Sequence, residues 1–145
     1  MLDSSSPAEP TPQPLQVTAA LVREKGRFLI SQRRSGRWEF PGGKQEPGEG
    51  LAQCLAREMA EELGVKVEVG ERFGTIDHAY PDKRVRLHFF RCRIVAGRPR
   101  PLTCRDLAWV TFGEMAEYDF LEADQRIIDR LRRAGEDSEP ASAPP

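Results

Sequence analysis

Three glutamates in this chain stand at a spacing that could bind a metal ion. Glu58, Glu61 and Glu62 occupy positions i, i+3 and i+4, which would place their carboxylates along one edge of a helix. Like charges at that spacing repel, and each such pair costs a helix about 0.2–0.5 kcal/mol. A hard divalent cation would relieve the repulsion, because Mg²⁺ binds one or two carboxylates together with water and substrate phosphates. The alternative interpretation is an ordinary solvated acidic face.

The element that would position these carboxylates is a helix that starts near Leu51 and ends at Gly64. Gly64 can adopt the left-handed conformation that ends a helix, and Val65 can fold back onto the last turn. Arg57 stands one turn before Glu61 and is expected to pair with it. The apolar arc that would pack on the core consists of Leu51, Ala52, Leu55, Ala56, Met59 and Leu63.

The stretch from Gly43 to Val65 also matches a known motif at every fixed position. The motif is G-x5-E-x7-R-E-U-x-E-E-x-G-U, where U is bulky and apolar, and it is matched by Gly43, Glu49, Arg57, Glu58, Met59, Glu61, Glu62, Gly64 and Val65. This is the Nudix box, and the chain therefore resembles the Nudix hydrolases. The resemblance implies an α/β fold, an α/β/α sandwich with a mixed sheet, and metal-dependent hydrolysis of a nucleoside diphosphate linked to another moiety.

The resemblance further implies roles for the residues of the box. The expected ligands of a Mg²⁺ ion, or of Mn²⁺ in its place, are Gly43 through its carbonyl, Glu58, Glu61 and Glu62. Glu61 could instead orient the attacking water. The expected catalytic residues are Glu58, Glu61 and Arg57, and Glu49 would help Arg57 to hold the ligands in place.

Segments on both sides of the box are similar to the MutT-like subgroup, which hydrolyses nucleoside triphosphates to monophosphate and pyrophosphate. The likeness rests on W-E-F-P-G-G-K at Trp38–Lys44, on the turn Tyr80–Lys83, and on Phe120–Asp124 with the following pair Ile127 and Ile128. It implies a nucleotide-pool sanitising role related to DNA repair, with 8-oxo-dGTP or a CTP-type nucleotide as substrate. The residues expected to bind that substrate are Arg33, Phe40, Lys44, Tyr80 and Asp124.

Asp124 stands where the subgroup reads the base. An ionised carboxylate accepts a hydrogen bond from the exocyclic amino group of cytosine, whereas a protonated one can serve an oxidised purine. Two other accounts stay open at this stage. Asp124 could simply cap the final helix, and Phe40 could be a core residue rather than a stacking surface.

The general base is left open by the sequence. Triphosphate hydrolases often place a glutamate in the loop before the strand that contains Trp109, but here that loop reads Leu102-Thr103-Cys104-Arg105. Asp106 or a carboxylate of the box would therefore have to accept the proton of the attacking water.

Two other functions are compatible with the same box. A Nudix hydrolase of ADP-ribose or another nucleoside diphosphate derivative would differ outside the box, often by an N-terminal dimerisation domain, where this chain has a short segment. A catalytically silent domain that binds a nucleotide or regulates another protein would usually lose a box carboxylate. All four glutamates and the arginine of the box are present, which favours the enzyme.

The composition fits one globular domain. The chain has 145 residues, a net charge of −1 and three cysteines, so it lacks the basic field of a general nucleic-acid binder, and the cysteine spacing indicates neither a disulfide framework nor a zinc site. No apolar run reaches membrane-spanning length. We expect a cytoplasmic monomer or homodimer. Its domain is expected at residues 15–133, between disordered tails at 1–14 and 134–145 that are rich in Ser, Pro and Glu.

The remaining elements follow from apolar alternation and turn residues. Arg33, Arg34 and Arg37 are expected in a loop before Trp38–Lys44, where Pro41 and the two glycines would bring backbone close to a ligand. The stretch that starts at Gly43 is expected to be a loop leading into the helix. The predicted strands are Leu15–Val22, Arg27–Gln32, Lys66–Val69, Arg72–His78, Val85–Val95 and Leu107–Thr111. A helical turn is predicted at Phe112–Glu117, and a final amphipathic helix at Glu122–Arg133 has Ile127, Ile128 and Leu131 facing inward.

Overall fold

A computed structural model describes residues 13–136 of the chain. The strands are β1 (Leu15–Glu24), β2 (Arg27–Gln32), β3 (Trp38–Glu39), β4 (Gly42–Lys44), β5 (Lys66–Tyr80), β6 (Lys83–Ala96) and β7 (Asp106–Val110). The helices are α1 (Leu51–Leu63), α2 (Phe112–Met115) and α3 (Glu122–Arg133). None of the helices in this range is long and apolar enough to cross a membrane.

β1 is the strand that joins the parts of the sheet. It pairs in parallel with β6 and antiparallel with β2 and β4. β5 pairs with β6, and both β3 and β7 pair with β2. Parallel and antiparallel pairs occur together, as expected of the predicted mixed sheet. The pairing of β1 with β4 places Thr18 opposite Gly43, so β1 supports the backbone from which the chain enters α1.

Side-chain alternation along the strands divides the apolar core between the two faces of the sheet. Ala19 and Leu21 of β1 belong to the cluster that includes α3, whereas Ala20 and Val22 belong to the cluster that includes α1. The helices bury Ile127, Ile128 and Leu131 on one face and Leu55, Met59 and Leu63 on the other. Helices cover both faces, which agrees with the predicted α/β/α sandwich.

The ends of α1 follow the sequence prediction, and its buried face follows it in part. Gly64 has φ 70°, a left-handed conformation, and its N–H donates to the Ala60 carbonyl at 3.0 Å. Ala52 was expected on the apolar arc but is exposed, while Cys54 is fully buried against β1. The buried face is therefore rotated from the predicted arc toward Cys54.

Three predictions of local structure need correction. Gly43 and Lys44, expected in the loop before α1, belong to β4, which pairs with β1, and the unpredicted strand β3 pairs with β2. The strands predicted at Lys66–Val69 and Arg72–His78 are one strand, β5, which accommodates register shifts between Val69 and Gly74 as bulges. The helical turn after β7 ends at Met115, earlier than predicted.

The predicted tails lie mainly outside the described residues. Residues 1–12 and 137–145 are not among them. At the C-terminal side, residues 134–136 were assigned to a tail, but Glu136 accepts hydrogen bonds from Arg23 and Arg91, both at 3.3 Å. Contacts with β1 and β6 therefore continue three residues past the predicted end of the domain.

The outermost strand, β5, is covered along part of its length by two arginines of α3. Arg130 donates to the carbonyl of Thr75 at 3.0 Å, and Arg126 donates to the carbonyl of Asp77 at 2.6 Å. The β5–β6 hairpin is closed by a two-residue turn between Tyr80 and Lys83. In an antiparallel pair, the backbone groups of alternate residues point toward the partner strand and away from it. From Tyr80 backward, the carbonyls of Thr75 and Asp77 are among those that point away from β6.

Candidate active site

Gly43, Glu58 and Glu62 come together where β4 faces α1. A side chain at position 43 would start 2.2 Å from the carboxyl carbon of Glu58, so glycine is needed for this close approach. Glu62 lies close enough to Glu58 and to the backbone of Gly42 for both to act on its carboxyl group. Burial, followed by the charge of Glu58, raises the pKa of Glu62 to about 8. Two carboxylates thus share one confined position.

This donor set fits a hard divalent cation. No group of three or more His, Cys, Asp or Glu side chains within residues 13–136 is placed to hold a metal ion, so the protein offers two carboxylates and the carbonyl of Gly43. Mg²⁺ usually takes one or two carboxylates and fills its other positions with water and phosphate oxygens. Glu61, the fourth predicted ligand, lies at the exposed side of this point, because its side chain is 57% exposed and accepts from the same Arg57 nitrogen as Glu58. Its role as a ligand stays a prediction.

Arg57 organises the acidic residues around it, as the sequence predicted for its pair with Glu61. Its guanidinium makes two hydrogen bonds to Glu49 and donates to Glu58 and Glu61, each at 3.1 Å. It also donates to the carbonyl of Lys44 at 3.2 Å. The hydrogen bonds from Arg57 are the main reason that the pKa of Glu49 falls to about 2. Arg57 therefore ties the backbone after Gly43 to the acidic edge of α1.

A cleft extends from the acidic edge of α1 to the start of α3. One part is a pocket of about 320 Å³ with Tyr80 and Asp124 in its wall, and the other part is a cavity of about 250 Å³ bordered by Gly43, Lys44 and Glu62. The two parts share the lining residues Val17, Arg33, Glu39, Lys83, Val85, Leu87 and Asp124. They are therefore one continuous space.

Asp124 is a pocket residue and not a helix cap. The residue that caps α3 is Leu121, without a side-chain hydrogen bond, so the capping account is wrong. Asp124 is only 2% exposed, and its carboxylate accepts from the backbone N–H of Phe40 at 2.9 Å. Burial first, and then the charge of Glu39, raises the pKa of Asp124 well above its ordinary value of 3.8.

Phe40 occupies the core, the alternative that the sequence left open for it. Its ring is 2% exposed, stacks on Phe120 at 5.9 Å between ring centroids, and meets Phe28 and Phe89 edge-on. Its contribution to the cleft is the backbone N–H that orients Asp124. Tyr80 remains at the wall of the pocket, where its ring lies 4.6 Å from that of His78.

Glu39 is a cleft residue that the sequence did not single out. It accepts from Arg33 at 3.1 Å, and burial raises the pKa of its carboxyl in spite of that charge. The side chain of Arg33 is half exposed and lines both parts of the cleft. The sequence could have indicated Glu39 by its position between Trp38 and Phe40, because an acidic side chain flanked by two aromatic residues needs a partner.

The structure also narrows the choice of general base. The exposed carboxylate of Asp106 accepts from the N–H of Leu107 at 2.8 Å. A separate cavity also borders Glu62, and the loop before β7 contributes Thr103 and Cys104 to its wall. The carboxylates of α1 are therefore better placed for proton transfer than Asp106.

Comparison with known proteins agrees with this geometry. The NUDIX domain family matches residues 17–130, most of the chain, and the chain therefore belongs to the Nudix family. A putative 8-oxo-dGTP diphosphatase 2 of Mycobacterium tuberculosis is 41% identical over 125 residues, which cover 81% of this chain and 86% of that protein. The CTP pyrophosphohydrolase of Escherichia coli is 31% identical over 120 residues, covering 79% and 89% respectively.

Solved structures point to one group within the family. The crystal structure of the MutT protein from Methanosarcina mazei has a TM-score of 0.76 and 26% identity, and the match covers 87% of this chain and 99% of that one. Together with the relatives named above, this likeness makes the chain a MutT-like Nudix hydrolase, in agreement with the expectation from its sequence.

Proposed function

We propose that the chain hydrolyses a nucleoside triphosphate to a monophosphate and pyrophosphate with Mg²⁺ as the metal. The observation that carries the proposal is the continuous cleft. One end presents the paired carboxylates of Glu58 and Glu62, and the other presents Tyr80 and Asp124 in a pocket large enough for a base. A nucleotide that spans the cleft would place its phosphates beside the carboxylates.

In the proposed mechanism each residue has a distinct task. Glu58, Glu62 and the carbonyl of Gly43 would hold the cation, which when bound polarises phosphorus–oxygen bonds and lowers the pKa of water. Arg33 and Lys44, which both line the cavity beside Glu62, would offset charge on the phosphates. The positive charges of Arg33 and Lys44 would stabilise the transition state as well as the bound substrate.

Proton transfer from the attacking water falls to the acidic edge of α1. Glu58 and Glu61 both accept from Arg57, so their carboxylates are oriented before substrate arrives. Glu61 is the more exposed of the two and could take a proton and release it to solvent. Arg57 acts as a holder, since it donates to both carboxylates and to the carbonyl of Lys44. Glu49 holds Arg57 in turn, because it accepts from the guanidinium and from the backbone N–H of Glu46.

Recognition of the base would centre on Asp124. The relatives named above are described as acting on 8-oxo-dGTP and on CTP, and the raised pKa of Asp124 suits either one. Protonated, the carboxyl can donate to a carbonyl oxygen of an oxidised purine; ionised, it accepts from an exocyclic amino group. The N–H of Phe40 holds one carboxyl oxygen in place, which leaves the other for the base.

A panel of nucleotides assayed with Mg²⁺ and with a chelator tests this function. We expect pyrophosphate release from triphosphates and no turnover with the chelator. Phosphorus NMR in ¹⁸O-water shows which phosphorus atom water attacks, and label in the monophosphate or in pyrophosphate agrees with the proposal. Free phosphate and a nucleoside diphosphate as products would refute the triphosphate pyrophosphohydrolase assignment.

Hydrolysis of ADP-ribose is less well supported than the triphosphate reaction. A solved ADP-ribose pyrophosphatase from Streptococcus suis shares only 20% identity with this chain, with a TM-score of 0.67, so that likeness concerns the fold.

We place the enzyme in the cytoplasm, because Cys54, Cys92 and Cys104 are free thiols, as is usual in a reducing compartment. Its assembly as a monomer or homodimer stays a prediction.

A further inference from the structure

The carbonyl of Gly43 is held from inside the protein by two side chains that the Nudix box does not assign. The hydroxyl of Thr18 on β1 lies 3.1 Å from this carbonyl oxygen. The thiol of Cys54 on α1 lies 3.6 Å from the same carbonyl oxygen and 3.4 Å from the Thr18 hydroxyl. Thr18 is 1% exposed and Cys54 is fully buried, so water does not compete for these contacts.

The side chains of Thr18 and Cys54 carry one donor hydrogen each, and two arrangements fit their three contacts. Either the hydroxyl donates to Gly43 and the thiol donates to the hydroxyl, or the thiol donates to Gly43 and the hydroxyl donates to the thiol. In both arrangements one hydrogen is directed at the carbonyl of Gly43, and the second side chain holds its donor in place.

A carbonyl oxygen has two lone pairs and can accept a hydrogen bond while it binds a cation. The backbone that carries this carbonyl is tightly confined, because a side chain at Gly42 would meet the Thr18 carbonyl at 2.0 Å and one at Gly43 would meet the Glu58 carboxylate. A small rotation of the peptide would change the distance from the carbonyl to the metal position without moving α1. The ladder pairing of Thr18 with Gly43 and the side-chain contacts of Thr18 and Cys54 together oppose that rotation.

We propose that Thr18 and Cys54 are positioning residues that fix the Gly43 carbonyl as a metal ligand. This inference rests on the proposed metal site. Thr18 is the principal member, because its contact is the shorter one and a hydroxyl is a stronger donor than a thiol. Groups that orient metal ligands typically change metal affinity or activity by roughly 10- to 100-fold when removed.

The test compares Thr18→Val, Thr18→Ser and Cys54→Ala with the parent protein in a Mn²⁺ titration followed by electron paramagnetic resonance, without nucleotide. Valine keeps the branched shape of threonine and lacks its hydroxyl, whereas serine keeps the hydroxyl. We expect Thr18→Val to weaken Mn²⁺ binding roughly 10- to 100-fold, Cys54→Ala to weaken it less, and Thr18→Ser to stay within about threefold of the parent.

Cys92→Ala is the matched control. The Cys92 thiol donates to the Phe90 carbonyl at 3.6 Å, the same distance as in the Cys54 contact, but on β6. We expect this variant to bind Mn²⁺ as the parent does. In activity assays, the Mg²⁺ concentration for half-maximal rate should rise in Thr18→Val, while the KM for nucleotide at saturating Mg²⁺ stays unchanged.

Two kinds of failure can be separated. If the parent protein binds no Mn²⁺, or if Glu58→Gln binds it as tightly as the parent, the proposed metal site itself is wrong. If Glu58→Gln loses binding while Thr18→Val and Cys54→Ala both retain parental affinity, only the positioning role is refuted. Melting curves identify a variant that fails to fold, and in that case Cys54→Ala and Thr18→Ser decide the outcome.

Discussion

The two ends of the cleft each contain a pair of close carboxylates, and the two pairs solve the same electrostatic problem differently. Glu58 and Glu62 lie beside the cavity that Gly43 and Lys44 border. Glu39 and Asp124 line both parts of the cleft and reach the pocket beside Tyr80, and Glu39 is the second cause of the raised pKa of Asp124. In both pairs, burial is the first cause of a raised pKa.

The surroundings decide how each pair is stabilised. Near Glu58, Arg57 supplies one fixed cation and the open cavity admits another, so the pair suits a bound metal and phosphate. Around Asp124 the walls include Val17, Leu87 and Leu121, and the hydrogen bond is from a neutral N–H. Arg33 lines the same pocket, but its charge does not outweigh burial, so the pKa of Asp124 stays raised. Under the proposed function, one cleft would thus contain a metal-binding end at Glu58 and Glu62 and a proton-binding end at Asp124.

The largest expected effect comes from neutralising the metal-binding pair. Glu58→Gln removes one of the two buried carboxylates, and metal stabilisation of a transition state is worth several kcal/mol, which corresponds to about 10³-fold in kcat. Turnover with Mg²⁺ and circular dichroism spectra of the folded variant provide the measurement.

Glu61→Gln serves as the comparison for that prediction. Its side chain is 57% exposed and outside the pair, so its loss should reduce kcat less than the loss of Glu58. An equal or larger reduction for Glu61→Gln would show that the acidic edge rearranges when metal and nucleotide bind, and the contrast between the two ends would need revision.

The next effect concerns the choice of base at the proton-binding end. Asp124→Asn removes an acceptor that can ionise, and a hydrogen bond to a charged group is worth roughly 1.5–3 kcal/mol, or about 10- to 150-fold in relative kcat/KM. We expect the preference between CTP and 8-oxo-dGTP to narrow or reverse, with Mg²⁺ dependence unchanged. Equal slowing of every nucleotide would contradict a role for Asp124 in base selection.

An intermediate effect is expected from the residue that holds the acidic edge together. Arg57→Lys keeps the positive charge but cannot make the two parallel hydrogen bonds to Glu49. Because the change acts on the orientation of Glu58, it should weaken metal affinity roughly tenfold and leave selection among bases unaltered. A shift in base preference, measured with competing nucleotides, would mean that the two ends are coupled.

The smallest effect is thermodynamic and isolates the raised pKa of Asp124. Its folded pKa lies above the unfolded value of 3.8, so the stability from proton binding is fully present below 3.8 and is lost as pH rises through the folded pKa. The Tm of Asp124→Asn should therefore rise relative to the parent as pH increases, by roughly 4 °C for each kcal/mol.

Asp129→Asn is the matched control for this measurement. It makes the same chemical change on the same helix at a half-exposed position, and its Tm difference from the parent at each pH is the baseline for Asp124→Asn. A pH-independent Tm difference for Asp124→Asn would show that Asp124 does not retain its proton on folding.

Sequence alone was enough for the elements whose signals are local. The arc of Leu55, Met59 and Leu63 and the glycine at position 64 predicted α1 and its end, because helix periodicity and a left-handed terminal residue need no distant partner. The spacing of Glu58 and Glu62 likewise predicted a shared acidic edge. The resemblance to the Nudix box then supplied the family, which the comparisons confirm.

Contacts between distant segments were the part that could not be predicted. β3 and β4 are two and three residues long, and they are strands only because β2 and β1 present partners to them. Glu39 gained its place in the cleft through the same pairing. The core position of Phe40 and the thiol of Cys54 beneath Gly43 likewise depend on segments far apart in the chain, which no local pattern encodes.

The two arginines of α3 that bond to β5 also bear on self-association. An edge strand with free carbonyl groups can be extended by a strand of another molecule, which leads to dimers or to aggregation. Here the carbonyls of Thr75 and Asp77 are already bonded to Arg130 and Arg126. An incoming strand at this stretch would first have to displace both guanidinium groups, so α3 protects the sheet against unwanted growth while it supports the nucleotide pocket.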